Sequence, residues 1–322
     1  MQKRALVCGA GGFIGHNMVK FLKARGWQVI GVDLKEPSFE DSPADVFNRI
    51  DLRDPRYVGQ LLDQEPQFDR VYQFAADMGG AAHVFSGDFD SEILVNSALI
   101  NMNILRRLAE IKFTGIVFYS SSVCIYPDEI EGLEHEAYPV HPPSNYGYEK
   151  MYSERMYQAF AHNYGLNIRI ARFHNCFGPG GVYEGGREKS PAAISRKVAL
   201  ATDGGEIEIW GDGEQLRPFI YIDDLILGIE ALMTSDFEGP VNLGPDDSKS
   251  ITINQLVDII SDAAGKKLVK KHIDGPTGGQ IRHANNDLAQ EKLGWKPEAD
   301  LWDSLAETYH WIAGEISKKS TM

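Results

Sequence analysis

A glycine-punctuated turn near the N-terminus constrains this chain more than any other feature. Ala5-Leu6-Val7-Cys8 reads as a short apolar strand, and Gly9, Gly12 and Gly15 follow as Gly-x-x-Gly-x-x-Gly, a shifted form of the Gly-x-Gly-x-x-Gly turn. An apolar periodic helix then runs through Phe21 and Leu22. Glycines in this order allow a tight turn and a close approach of backbone to a pyrophosphate at the helix N-terminus. Gly9, Gly12, Phe13, Ile14 and Gly15 are therefore candidate cofactor contacts. A second strand, residues 28–32, ends at Asp33. A carboxylate about 20 residues past the glycines accepts the adenosine ribose hydroxyls and repels a 2′-phosphate, so NAD is favoured over NADP. Lys35 weakens that preference without reversing it. Asp51 follows another strand-like run and can reach the adenine amino group; the plainer reading is a loop Asp capping the next helix.

Strands and helices alternate through the first half of the chain. Strands are expected over 71–75, 115–120 and 167–173, and helices over 92–112 and 146–164. This order predicts an α/β fold, a doubly wound parallel sheet of Rossmann type with ligands beyond the strand C-termini. From Asn175 the pattern changes to Gly- and Pro-rich loops and short strands at 206–210 and 219–222. Residues 224–244 read as a helix and last strand returning to the sheet. The expected division is a cofactor-binding domain of 1–174 with 224–244, and a smaller mixed α/β substrate domain of 175–223 and 245–322. Helices are expected there at 253–264 and 300–316, with a disordered tail from Ser317.

Tyr146 and Lys150 are four residues apart, and on a helix they share a face. A lysine ammonium beneath a phenol favours the phenolate and lowers the phenol pKa. The serine-rich stretch Ser120-Ser121-Ser122 lies upstream, and Ser122 can hold the same substrate oxygen. Together these residues can move a proton on or off a sugar hydroxyl while hydride leaves the carbon beneath it.

With the glycine turn, Asp33, Ser122 and Tyr146-x-x-x-Lys150 in order, the chain resembles the extended short-chain dehydrogenase/reductase family of nucleotide-sugar enzymes over nearly its whole length. Within that family, four segments are similar to the GDP-mannose 3,5-epimerases: 75–80 (Ala-Ala-Asp-Met-Gly-Gly), 121–127 (Ser-Ser-Val-Cys-Ile-Tyr-Pro), the run 172–193 with Gly185-Gly186-Arg187-Glu188-Lys189, and 210–219 (Trp-Gly-Asp-Gly-Glu-Gln-Leu-Arg-Pro-Phe). The resemblance implies that Ser122, Tyr146 and Lys150 serve a hydride step at C4 with tightly held NAD. It implies that Cys124 and Lys189 are the base and acid pair for inversion at C3 and C5, taking GDP-mannose to GDP-L-galactose or GDP-L-gulose through a 4-keto intermediate. It places Gly79, Asn175, Glu188, Ser190, Lys197, Gln215, Arg217 and Arg282 on the substrate, and it implies a homodimer through the helices at 92–112 and 146–164. The segments 81–90 and 274–286 match only loosely.

Oxidation at C4 is what makes the C3 and C5 hydrogens acidic, and a thiol and an amine tuned toward the operating pH suit the proton transfers. A 4-epimerase has no use for Cys124 with Lys189, and a 4,6-dehydratase carries a pair of acids where this chain has Val123-Cys124; both remain the alternatives. A non-catalytic NAD-binding regulator is disfavoured by retention of Ser122, Tyr146 and Lys150. A diphosphate needs cations, and Arg172, Lys189, Arg196, Lys197, Arg217 and Arg282 lie in or near the second-domain segments. Cys8 and Cys176 read as core residues.

The formal net charge of −14 argues against nucleic acid or anionic membranes as partners, so an anionic substrate must meet a local positive pocket. Three cysteines without framework spacing fit a reducing cytosol. No metal-ligand spacing, leader peptide or membrane-length apolar run is evident, so a cytoplasmic enzyme without a metal is expected.

Overall fold

The computed structural model describes residues 2–64, 66–127, 133–138, 141–275, 277 and 285–320. In chain order the first half comprises β1 (Arg4–Cys8), α1 (Phe13–Ala24), β2 (Gln28–Asp33), β3 (Val46–Arg49), α2 (Pro55–Leu62), β4 (Arg70–Gln73), α3 (Ala81–Val84), α4 (Asp90–Glu110), β5 (Ile116–Ser122), α5 (Asn145–Tyr164) and β6 (Asn167–Phe173). The second half comprises β7 (Asn175–Phe177), α6 (Ser190–Leu200), β8 (Glu206–Trp210), β9 (Leu216–Arg217), β10 (Phe219–Tyr221), α7 (Ile222–Thr234), β11 (Val241–Leu243), β12 (Ile251–Thr252), α8 (Ile253–Ala263), β13 (Val269–Ile273), α9 (Asp287–Leu293) and α10 (Leu301–Ser320).

Seven strands pair in parallel in the order β11-β6-β5-β4-β1-β2-β3. A parallel sheet covered on both faces needs strands that are apolar on both sides, and β1 is buried throughout. Strand alternation sends Ala5 and Val7 into one core with Met18, Leu22 and Ile229. Leu6 and Cys8 enter the opposite core with Val58, Leu105 and Tyr157. The chain runs outward from β1 to β3, then crosses back to β4, so the strand order reverses between β1 and β4. In such a sheet that reversal opens the ligand crevice at the strand C-termini. The doubly wound parallel fold expected from the alternation is therefore the fold observed.

A third core lies outside the sheet, where Ile194 and Val198 of α6 meet Leu256 and Ile260 of α8 and Leu305 of α10. Apart from the C-terminal end of α10, the expected helix boundaries fall within about two residues of those observed, the ordinary play at helix ends. Several elements had no forecast, α6, β13 and α9 among them. β13 (Val-Lys-Lys-His-Ile) is mostly exposed and carries no clean alternation, yet it pairs in parallel with β8. α9 is only seven residues long, too short to show a period. The tail expected to be disordered instead continues α10 to Ser320. Its Lys319 lies 5.1 Å from the centre of the Tyr183 ring and pairs with Glu184, which gives the last turn a tertiary anchor.

Arg172 overturns one sequence expectation. The sequence groups it with the cations available to a diphosphate, but on β6 it faces α5. Its Nε and NH2 donate to the two carboxylate oxygens of Glu154 at 2.9 and 2.8 Å, and NH1 donates to Tyr126 Oη at 2.6 Å and to the Glu134 carbonyl at 3.0 Å. Both members of the pair are inaccessible to solvent. Four of its five N–H groups are engaged and the side chain is buried, so it is not open to a phosphate; it ties β6, α5 and the 133–138 segment together. Breaking a buried pair from one side strands the other charge. Glu154→Ala should therefore lower the unfolding free energy by about 3–5 kcal/mol, read as a shift of the urea midpoint, while Glu154→Gln, which still accepts hydrogen bonds, should cost less.

Candidate active site

The β1–α1 turn is built by backbone. Gly9 has φ +85 and its amide donates to Val32 O at 2.8 Å. A Cβ on Gly15 would stand 2.1 Å from Gly9 O, and one on Gly11 would stand 2.0 Å from Lys35 O. The turn thus leaves the free amides of α1 facing the crevice with no side chain between. Asp33 sits at the end of β2, where Oδ2 accepts from the Gly11 amide at 3.0 Å. A cleft of about 350 Å³ runs over this turn, lined by Gly9, Gly12, Phe13, Ile14, Gly15, Asp33 and Asp51 at one end and by Ser122, Tyr146 and Lys150 at the other. The glycine cradle, the helix amides and the carboxylate fit a dinucleotide. Asp51 is gripped by the Arg53 guanidinium, Nε at 2.9 Å and NH2 at 2.7 Å, and that grip holds its carboxyl below the ordinary range. Gly15→Ala should push the turn open. The purified variant should retain less than about a tenth of the parent's bound NAD, read by nucleotide release on denaturation.

The second wall is assembled from β5 and α5. Ser122 ends β5, and its Oγ accepts from the Cys124 amide at 3.2 Å in a single turn of 3-10 helix. Ser144 caps α5 by accepting from the Gly147 amide at 3.2 Å. A Cβ on Gly147 would lie 2.3 Å from Cys124 O, so the glycine between two tyrosines lets the first turn of α5 seat directly on the Cys124 turn. Ser122, Cys124 and Tyr146 are brought together by this contact.

Lys150 lies one turn after Tyr146, 5.7 Å from the centre of its ring. Its ammonium donates to Ser120 O at 3.1 Å and reaches Tyr119 Oη at 3.5 Å. The electrostatic outcome differs from the expectation that Lys150 lowers the phenol. Burial pushes the Tyr146 phenol well above its ordinary value, the neighbouring Cys124 and Glu149 add to the rise, and a hydrogen bond with Ser122 opposes it. Burial also lowers Lys150, against the pull of Glu149 and Glu154. The ammonium is directed at backbone and at carboxylates rather than at the phenol oxygen, which the i, i+4 spacing could not reveal.

Beyond Tyr146 a cavity of about 330 Å³ opens toward the second half of the chain. Gly79, Ser122, Cys124 and Tyr146 line one part, and Asn175, Glu188, Lys189, Ser190, Lys197, Gln215 and Arg217 line the rest, with Arg196 beside them. Arg282, also expected here, lies outside the described residues. Lys189 caps the N-terminus of α6, and no hydrogen bond or ion pair occupies its side chain among the described residues. Glu188 Oε2 accepts from the Gly186 amide at 2.7 Å. Lys197 Nζ donates to Glu208 O at 2.7 Å, and Arg217 NH2 donates to Thr277 O at 2.7 Å. Gln215 Nε2 donates to Trp210 O at 3.2 Å, while its buried Oε1 has no partner among the described residues.

Cofactor cleft and cavity share Met78, Gly79, Ser122, Tyr146, Phe173, His174 and Lys189, so the two meet at Tyr146. The sequence reading missed Met78, Phe173, His174 and Trp210 as wall residues, although the two-residue step from Phe173 to Asn175 at the end of β6 could have flagged Phe173 and His174. Cys8 and Cys176 are buried, and burial pushes each thiol up to about 12. Lys189 acts against that rise at Cys176, which places its charge close by.

The family described as the NAD dependent epimerase/dehydratase family matches residues 5–244. The chain is 38% identical over 326 residues to GDP-mannose 3,5-epimerase 1 of Oryza sativa subsp. indica, covering 99% of this chain and 84% of the rice protein. It is 38% identical over 322 residues to GDP-mannose 3,5-epimerase of Arabidopsis thaliana, covering 97% and 83% of the two chains. Among solved structures, UDP-glucose 4-epimerase of Thermus thermophilus in complex with NAD has a TM-score of 0.82 at 25% identity, covering 97% of this chain and 99% of that one. UDP-glucose 4-epimerase of Thermotoga maritima with UDP-glucose has a TM-score of 0.86 at 24% identity, with coverage of 97% and 99%, a likeness that speaks to the fold alone.

Proposed function

The chain belongs to the NAD dependent epimerase/dehydratase family, and on that premise we propose that it epimerises a GDP-hexose at C3 and C5, GDP-mannose to GDP-L-galactose and GDP-L-gulose, through a transient 4-keto sugar. The observation that carries the reading is that a thiol, Cys124, and an ammonium unpaired among the described residues, Lys189, line one cavity with Ser122 and Tyr146. A 4-epimerase needs only the last two with Lys150.

NAD+, held over the Gly9–Gly15 turn and by Asp33, would supply the acceptor for hydride from C4, and in its reduced form the donor when the ketone is reduced. Ser122 orients the O4 hydroxyl against Tyr146. Burial opposes ionisation of the Tyr146 phenol, so its own proton must pass to solvent before the phenolate takes the O4 proton as hydride leaves C4; the phenol so formed returns that proton to O4 when the ketone is reduced. With C4 a ketone, the C3 and C5 hydrogens become acidic. Cys124 approaches from the β5 side and Lys189 from the α6 side; one removes a proton and the other delivers one to the opposite face, which inverts the carbon. Glu188, Ser190, Asn175, Gly79 and Gln215 hold the sugar. Arg217 and Lys197 face the diphosphate, and Asp33 and Asp51 read the adenosine. Residues 1–174 with 224–244 form the cofactor unit, a division supported by β11 lying beside β6, and 175–223 with 245–322 form the substrate unit.

Two copies associate through α4 and α5. Support comes from Leu94, Val95 and Leu99 on the first and Tyr148 and Tyr152 on the second, all exposed apolar side chains. Light scattering on the eluted protein should return twice the chain mass. A cytosolic setting is supported by three free cysteines, and among the described residues no helix is long and apolar enough to cross a membrane.

In heavy water with GDP-mannose, the C3 and C5 proton signals should vanish as new sugar isomers form without net NADH. Cys124→Ala should slow that exchange by about a hundredfold or more while NAD stays bound and a transient of NADH still forms. Tyr146→Phe should lose both. Conversion of other nucleotide sugars at C4 alone, with no exchange at C3 or C5, would assign the chain to the 4-epimerases instead.

A further inference from the structure

The loop after β4 carries a carboxylate that the proposed chemistry does not use. Asp77 lies behind the cavity wall, and its side chain is 14% exposed. Oδ1 lies 3.1 Å from His83 Nε2 and 3.2 Å from Arg187 NH1, and Oδ2 accepts from Asn96 Nδ2 at 2.9 Å. Its amide donates to Ser97 Oγ at 3.0 Å. Burial raises the carboxyl, but the hydrogen bonds from Asn96 and His83 and the charge of Arg187 outweigh it, so Asp77 is an anion at neutral pH. Asn96 and Ser97 belong to α4, which fixes Asp77 on a long helix rather than on a free loop.

What Asp77 grips is the strap that leads to Lys189. Arg187 stands two residues before Lys189, and its own carbonyl accepts from the Gly80 amide at 2.9 Å. A Cβ on Gly80 would lie 2.1 Å from Glu188 O, so the strap rests on the Gly79-Gly80 loop with no room for adjustment. Asn96 also accepts from Arg53 NH1 at 2.9 Å, and Arg53 holds Asp51. A polar chain therefore runs from the adenosine end of the cleft, through Arg53, Asn96 and Asp77, to Arg187.

We propose that Asp77 is a positioning residue, whose grip on Arg187 fixes the strap and so sets Lys189 over the sugar ring. The role of Lys189 rests on the 3,5-epimerase reading; the grip on the strap does not. Arg187 is 53% exposed, and a pair so open to solvent adds little to stability. Its effect is on placement, where a shift of about 1 Å costs on the order of a hundredfold in rate. The signature is lost proton transfer without lost fold.

The test uses NAD-loaded parent, Asp77→Asn, Arg187→Gln and the double variant. Hydrogen–deuterium exchange needs no substrate: in both single variants, peptides spanning 78–84 and 183–193 should exchange faster than in the parent. Unchanged exchange in Asp77→Asn would overturn the proposal. Arg187→Gln, which alters a half-exposed side chain, keeps the test open should Asp77→Asn fold poorly. With GDP-mannose, kcat for C3 and C5 exchange should fall about ten- to a hundredfold in each single variant, with KM within about threefold, the NADH transient intact and Tm within about 2 °C. The double variant should be no slower than the singles, because Asp77 acts through Arg187; losses that multiply would also overturn the proposal. A parent that exchanges neither proton would sink the 3,5-epimerase reading, and the amide exchange would still decide whether Asp77 holds the strap.

Discussion

Three carbonyl oxygens, those of Gly9, Cys124 and Glu188, lie where a neighbouring side chain would have to begin, 2.1, 2.3 and 2.1 Å from ideal Cβ positions on Gly15, Gly147 and Gly80. The site depends on these contacts of backbone with backbone. The first sets the cofactor turn at the N-terminus of α1. The second seats the start of α5 on the Cys124 turn and so fixes Tyr146 against Ser122. The third lays the Lys189 strap on the loop after β4. A contact of this kind tolerates no repacking, because the intruding atom would meet backbone rather than the end of a flexible chain. Relative placement of the reacting groups is thus set by main chain, and the side chains inherit it.

The two halves of the cavity solve different binding problems. The cofactor end offers amides, glycines and two carboxylates, and the helix terminus there favours a pyrophosphate. The cavity beyond Tyr146, the proposed substrate end, gathers Lys189, Arg196, Lys197 and Arg217 in a chain whose formal net charge is −14. Local cations within an acidic protein raise the local concentration of an anion there. Arg172 is excluded from that set because its charge is already engaged inside the fold by Glu154.

Legibility in the sequence followed distance along the chain. The glycine turn, Asp33 and the Tyr146–Lys150 pair were readable because each is a short-range geometric rule, a turn or a helical face. The assignment of Cys124 and Lys189 to one cavity came from resemblance, since 65 positions separate them and no local period links them. What stayed hidden was set by tertiary pairing or by burial. Asp77 meets Arg187 across 110 positions, and Arg172 meets Glu154 on a different element. The raised phenol of Tyr146 arises from burial in the surrounding core, to which Cys124 and Glu149 add and which a hydrogen bond with Ser122 opposes. β13 went unseen because its exposed lysines mask a strand held by pairing with β8 alone.

In the reaction proposed for this chain, inversion at a carbon imposes a requirement that hydride transfer alone does not. Hydride must leave and return along one path, so Ser122, Tyr146 and Lys150 belong on rigid elements, the end of a central strand and the first turns of a packed helix. Proton removal and delivery must occur on opposite faces of the ring, so the two groups cannot share an element. Cys124 meets this from the rigid wall, one turn past Ser122. Lys189 must then come from the other wall, which is a loop entering α6 and has no sheet to define it. Such a loop is accurate only if something rigid holds it, and the available anchors are the Gly80 amide and the carboxylate of Asp77, itself fixed to α4. A fold that serves 4-epimerases can therefore acquire inversion at neighbouring carbons by adding a thiol beside the serine and a tethered strap opposite, leaving the hydride machinery where it stands.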